Sequence, residues 1–296
     1  MLRILNVPGQ LMPKMPIQYP PHQGNNPMIE EKCFEFFSKN ADQIDTDYIY
    51  LPIQWTAFHL LNGYGQNVQP LIDYYAAVIE QLPNEKFFTV VQYDGGTLIG
   101  LDNCKVFAAS GSFTSPIGKN STYEPVPLMS DPHPVFVSDE KKYKVVFCGR
   151  DTHPLRKQMM SSLSGIDGYH LYDPGGVGIS GKDVEIFRDL TSNSIFGLCP
   201  RGYGPTSFRL YETIQMGCIP IFISDEFWLP FEKYVDWNKL CLLITPEKID
   251  QIPEIVDGLI ASGEYKNMLE YGKTCYENHF SWDGLTQTIG KIIQDK

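Results

Sequence analysis

The stretch Ser194 to Ile244, SIFGLCPRGYGPTSFRLYETIQMGCIPIFISDEFWLPFEKYVDWNKLCLLI, constrains the fold more than any other part of the chain. It reads as strand, Gly-rich loop, helix, strand, loop and strand. The apolar run Ile195 to Cys199 is short, and Pro200, Gly202 and Gly204 stop it, the signature of a buried strand running into a turn. Thr206 or Ser207 can cap the helix that follows, and Gly217 ends it. Ile219 to Ile223 then forms a second buried strand. Such a βαβ unit sets the loop and the helix N-terminus at the carboxyl end of the sheet, where backbone N–H groups and the helix dipole favour an anion. Arg201, Arg209 and Glu212 fall within these twelve residues, a set suited to a ligand with both phosphate and polyol groups.

Composition narrows the partners. The formal charge of −11 argues against nucleic acid and anionic membrane surfaces, both of which favour basic patches. A hydrophobic content of 43% argues for filled cores and against disorder. The seven cysteines are odd in number and scattered, with no C-x-x-C pair, so packed free thiols and a reducing, cytoplasmic compartment are expected. No apolar run reaches the length of a membrane span, and the first ten residues do not read as a secretion signal.

Along the chain, strands are expected at 2–7, 47–53, 86–92 and 105–109, with helices at 28–38 and 68–82 and a long irregular loop at 8–27. The segment after 53, which holds Trp55 and His59, reads only as aromatic and polar. Residues 110–139, rich in Ser, Pro, Gly and Thr, read as a crossover between domains. A second series follows: strand 143–148, helix 154–163, strand 169–172, a Gly-rich loop, helix 182–190, the stretch already described, then helices at 246–262, 264–278 and 283–294. Alternation of this kind predicts parallel α/β sheets. The expected domains are 1–138 and 139–278, the final helix within 279–296 packing back on the first. Ligands of open α/β sheets bind at the carboxyl ends of the strands.

Leu198 to Trp237, LCPRGYGPTSFRLYETIQMGCIPIFISDEFWLPFEKYVDW, resembles the exostosin family of glycosyltransferases. The likeness lies in the Pro-Arg-Gly loop, the Ser-x-Arg-Leu-x-Glu helix, Gly-Cys-Ile-Pro before a strand, and Leu-Pro-Phe followed by Asp-Trp. KKYKVVFCGR and EKFFTVVQYDGG are similar to two further strands of the family, so the resemblance runs from about residue 45 to 245. Tyr93 stands where many plant members have His. The resemblance implies an α/β fold of GT-B architecture, two Rossmann-like domains facing a central cleft. It implies inverting transfer from a UDP-sugar donor to an oligosaccharide or glycan acceptor. Family members of the Golgi carry a membrane anchor. The sequence shows none, and the expectation is a compact cytoplasmic version.

Within that frame the first domain is the acceptor side and the second binds the nucleotide sugar. Arg201 is expected to pair the donor diphosphate, or else to bridge a nearby carboxylate. Arg209 binds phosphate or holds Glu212 through an i,i+3 pair. Glu212 accepts from ribose hydroxyls, as acidic residues do in dinucleotide folds, or lies on a solvated helix face. Thr206 and Ser207 cap the helix and offer N–H groups to a phosphate, with Gly202 in the same loop. Gly149 and Arg150 end the first strand of the second domain, and Arg150 is a second phosphate ligand. Arg156 is a rival more at home on a helix surface.

Inversion needs a base for the acceptor hydroxyl, and Asp94, at the end of a first-domain strand, is the candidate, though Asp-Gly-Gly also reads as an ordinary turn. His59 and His153 are its rivals. Trp55 and Tyr93 are candidates for stacking on a sugar, with buried packing as the alternative. Asp225-Glu226 lacks Asp-x-Asp spacing, so neither a metal nor another cofactor is expected. Xylose, galactose or a similar neutral sugar is the favoured donor, because no further Lys or Arg stands beside the motif to meet a donor carboxylate. A non-catalytic nucleotide-sugar-binding subunit is the rival function.

Overall fold

Short apolar runs alternate with amphipathic segments throughout, and each run becomes a parallel strand. The computed structural model describes residues 1–14, 28–111, 115–134, 140–175 and 180–295. Parts of the expected loop 8–27 (15–27), of the crossover (112–114 and 135–139) and of the Gly-rich loop (176–179) lie outside the described residues. The chain forms two compact units, one holding residues up to 129 and again from 281, the other centred on 130–280.

The first unit contains β1 (Arg3–Ile4), α1 (Ile29–Asn40), β2 (Tyr48–Tyr50), α2 (Trp55–Leu61), α3 (Gln69–Gln81), β3 (Lys86–Val91), β4 (Cys104–Ala108) and β5 (Thr122–Pro125). All neighbours are parallel, in the order β1-β2-β3-β4-β5. β3 is buried along all but its first residue, as a strand covered on both faces must be. Tyr50 and Phe88, partners in the β2–β3 register, stack at 4.7 Å, and Phe37 of α1 meets each ring at 5.2 Å.

Two elements here correct the sequence reading. The aromatic segment after residue 53 is a helix, α2, whose first five residues are all buried. The stretch read wholly as crossover contains β5, a half-buried edge strand that ends in proline and shows no clean alternation.

The second unit contains β6 (Tyr143–Cys148), α4 (Pro154–Leu163), β7 (Tyr169–Tyr172), α5 (Gly181–Ser192), β8 (Ser194–Pro200), α6 (Phe208–Gln215), β9 (Ile219–Ile223), α7 (Trp237–Leu240), β10 (Leu242–Ile244), α8 (Ile252–Ser262) and α9 (Tyr265–Cys275). Its sheet is parallel, in the order β10-β9-β8-β6-β7. The core joins Val145, Phe147, Phe196, Leu198, Ile221 and Ile223 of the strands to Leu155 and Met159 of α4. The chain leaves β6 toward β7 and then returns to β6's other side as β8. Strand order therefore reverses between β6 and β8, and ligands of open α/β sheets bind at the carboxyl ends of such a pair.

α10 (Trp282–Gln294) belongs to the first unit, where Thr46 Oγ1 donates to the Ile293 carbonyl. Ser281 caps it by accepting from Gly284 N at 3.0 Å. Among the described residues no helix is long and apolar enough to cross a membrane. All seven thiols are free and buried, as small core hydrophobes are.

Candidate functional site

The reversal point in the second sheet is where the basic residues collect. Gly149 and Arg150 follow β6, and the loop 201–207 follows β8 into α6. Arg209, in the first turn of α6, donates from Nη2 to the Cys148 carbonyl. Its guanidinium lies 4.9 Å from the Phe147 ring and 5.7 Å from that of Phe187 on α5. A planar, weakly hydrated cation suits such a place between rings. Nη2 sits so close to residue 149 that a Cβ there would collide with it, and Arg209 Cζ would be 2.9 Å away. Any side chain at residue 149 would therefore have to displace the Arg209 guanidinium.

Among the described residues several buried donors of this site have no hydrogen-bond partner: Arg150 Nε and Nη2, Arg209 Nε, Thr206 Oγ1 and Ser207 Oγ. Ser207 occupies the N-cap position of α6, yet its hydroxyl makes no capping bond. A buried polar atom left without a partner costs stability, and such atoms are rare in folded proteins. Here they are grouped with the positive end of a helix. Chemically such a group can bind an anion with several acceptor oxygens.

Arg201 takes the bridging role. It pairs with Asp225 through Nη1, and donates to Gly204 O at 3.2 Å and Tyr203 O at 3.3 Å. That hydrogen bond and the charge of Arg201 hold the Asp225 carboxyl below its ordinary range. Gly202 N closes the same loop by donating to Thr206 O at 3.1 Å.

Arg156 is not a surface residue. It is 7% exposed and donates to Arg201 O at 3.1 Å, Arg150 O at 3.0 Å and Pro200 O at 3.3 Å, tying the end of β8 to the turn after β6. Burial, then the nearby Arg209 charge, lowers its pKa to about 9. The sequence places it on a helix, but nothing in the pattern of α4 shows that its inward turn meets three carbonyls.

Glu212 is buried rather than solvated. Its Oε1 lies 3.0 Å from Nε2 of His133, and His133 Nδ1 accepts from Arg188 Nε at 3.0 Å. Neither His133 nor Arg188 stands out in the sequence: one lies in a Pro-rich segment without periodicity, the other on the polar side of α5. His153 is the N-cap of α4, its Nδ1 accepting from Leu155 N at 3.2 Å. Burial, and then the Arg201 charge, lower its pKa.

In the first unit β3 leads into the turn Tyr93-Asp94-Gly95-Gly96, closed by Gly96 N donating to Tyr93 O at 2.9 Å. Asp94 is half-buried there, at the carboxyl end of the strand. The Tyr93 ring lies against that of His59, centroids 3.7 Å apart and planes tilted by 33°. His59 is 4% exposed, its ring nitrogens have no hydrogen bond among the described residues, and burial lowers its pKa. Trp55 is completely buried, and its Nε1 donates to Thr89 Oγ1 at 2.8 Å. With no exposed face it cannot act as a sugar platform, and the reading of Trp55 as an acceptor contact is corrected accordingly.

Among the described residues no three His, Cys, Asp or Glu side chains cluster as a metal site. Each unit is thus a parallel α/β sheet covered by helices, and the second carries a group of buried polar donors at its reversal point.

Residues 105–259, just over half of the chain, match the Exostosin GT47 domain, and the chain belongs to that family. It is 40% identical over 70 residues to the Exostosin-1 homolog of Caenorhabditis elegans, a stretch covering 24% of this chain and 18% of that protein. It is 32% identical over 121 residues to a probable glucuronoxylan glucuronosyltransferase of Arabidopsis thaliana, covering 37% of this chain and 26% of that one. The chain thus matches about a fifth to a quarter of the length of these relatives. Among solved structures, the pneumococcal O-GlcNAc transferase GtfA in complex with UDP and GlcNAc is similar with a TM-score of 0.44 at 11% identity, over 90% of this chain and 60% of that one.

Proposed function

We propose that the protein is an inverting, metal-independent glycosyltransferase that moves one sugar from a UDP-sugar to an oligosaccharide or glycan acceptor. The observation that carries this is the set of unpartnered buried donors on Arg150, Thr206, Ser207 and Arg209 beside the N-terminus of α6. A donor diphosphate supplies the oxygens they lack. The two guanidinium groups and the helix end stabilise the charge that builds on the leaving UDP, the task a metal ion performs in other transferases. Arg201, Gly202 and Arg156 shape and tether the loop carrying these donors, and Glu212 accepts from the ribose hydroxyls.

In the transfer, the acceptor oxygen bonds to the anomeric carbon as the bond from that carbon to the phosphate oxygen breaks. The electron pair departs with UDP, and Asp94 takes the acceptor proton. Tyr93 is assigned to the acceptor side. His59, buried, supports the Tyr93 ring. The seven buried free thiols support a reducing, cytoplasmic setting.

For the donor sugar we favour xylose, galactose or a similar neutral sugar. The likeness to a probable glucuronoxylan glucuronosyltransferase of Arabidopsis makes UDP-glucuronate the principal competitor. A thermal-shift panel of nucleotide sugars, followed by transfer assays with EDTA present, tests the reading, since a ligand that binds only the folded state raises its stability. Stabilisation by UDP-sugars and transfer in EDTA are expected. Binding without transfer to any glycan would instead favour a non-catalytic subunit.

A further inference from the structure

We infer that His133 is a positioning residue that orients the Glu212 carboxylate toward the donor ribose. The inference rests on the ribose role given to Glu212 above. The His133 and Glu212 side chains are only 2% and 7% exposed, and their 3.0 Å contact is one link in a chain of three groups. Arg188 Nε can only donate, so the His133 Nδ1 that receives it is an acceptor. The imidazole proton then sits on Nε2, directed at Glu212 Oε1. A neutral histidine thus conveys the polarity of a guanidinium to a buried carboxylate and fixes its rotation.

His133 itself has little freedom. Its N–H donates to Gln215 Oε1 at 3.1 Å, and its carbonyl accepts from Gln215 Nε2 at 3.2 Å. Glu212 and Gln215 are one turn apart on α6, so a single helix face grips the side chain and both backbone groups of one residue. The Phe187 ring meets the imidazole edge-on at 5.5 Å. Phe187 also lies beside Arg209, so α5 braces the groups assigned to ribose and to phosphate through adjacent residues.

The competing interpretation is that His133 merely pegs the segment 130–134 to α6, and ribose dependence separates the two. Calorimetry on the whole chain would compare UDP with 2′-deoxy-UDP for the wild type, His133→Ala, His133→Gln and Arg188→Met. The wild type is expected to prefer UDP by roughly tenfold. His133→Ala should lose most of that preference while its affinity for 2′-deoxy-UDP stays the same. His133→Gln should keep it, because an amide can accept from Arg188 and donate to Glu212. Should His133→Ala not fold, Arg188→Met decides, since it leaves Nδ1 without its donor and should also reduce the ratio. An unchanged ratio in His133→Ala and Arg188→Met, or an equal loss for both nucleotides, overturns the inference and leaves the ribose role of Glu212 standing. A wild type with no preference for UDP overturns both.

Discussion

Gly149 and Arg209 are a matched pair: the missing side chain of one makes room for the guanidinium of the other, which lies over Phe147 and donates to the Cys148 carbonyl. Gly149→Ala is expected to displace Arg209 and weaken UDP binding about tenfold, or ~1.4 kcal/mol. The obstructing atoms are the mobile end of a side chain, so the melting temperature should fall only slightly. Calorimetry beside a thermal melt checks this, and unchanged UDP affinity would separate Arg209 from the nucleotide.

Trp55 belongs to the core of the first unit. Trp55→Phe removes its bond to Thr89 and should cost about 1–3 kcal/mol of stability. The acceptor KM, measured on the folded fraction, should not change. A raised acceptor KM with full stability would restore the sugar-platform role.

Glu30 links stability to pH. It is 1% exposed, its Oε1 accepting from Thr56 N, Thr56 Oγ1 and Gln92 N, while Oε2 has no partner among the described residues. Burial raises its pKa above 4.5, against the lowering effect of those bonds. The folded state therefore holds this proton more tightly than the unfolded chain. The contribution to stability is greatest below the unfolded pKa and declines as pH rises toward the folded one. Glu30→Gln removes the decline, so the variant should gain on the wild type with rising pH in urea unfolding. Parallel stability–pH curves would show that Glu30 binds its proton equally well in the folded and unfolded states.

Asp94→Asn should leave UDP affinity intact and reduce transfer by at least ~100-fold, the scale of a positioned general base. Turnover within a few-fold of wild type would exclude Asp94 as the base. His59, with its lowered pKa, would then be the residue to vary next.

Local chemistry made most of the second unit legible. Tyr143–Cys148, Pro154–Leu163, Tyr169–Tyr172 and Ile219–Ile223 lie where apolar runs and turn residues place them, and Gly217, at φ 64°, ends α6 as a residue free of a Cβ can. What escaped depends on distant partners. β5 is a short edge strand, and α2 is so buried that its sequence lacks a polar face. In the site, Arg150, Thr206, Ser207 and Arg209 are marked by their places after strands and in the first turn of a helix. The division of labour between Arg201 and Arg209 is not, because it turns on Asp225 reaching one and Phe147 underlying the other. His133 meets Glu212, and Arg188 meets His133, only through the tertiary fold.

The most direct measurement is calorimetric titration of UDP into the protein in EDTA, for the wild type and for Arg150→Ala, Arg209→Ala and the double variant. Binding by the wild type without metal is expected, with a loss of about tenfold or more for each single variant, the scale of a charge-assisted hydrogen bond. The double variant should bind barely at all while keeping its fold. Wild-type affinity in the double variant, or binding that appears only with a divalent ion, would contradict the assignment of the unpartnered donors to the diphosphate.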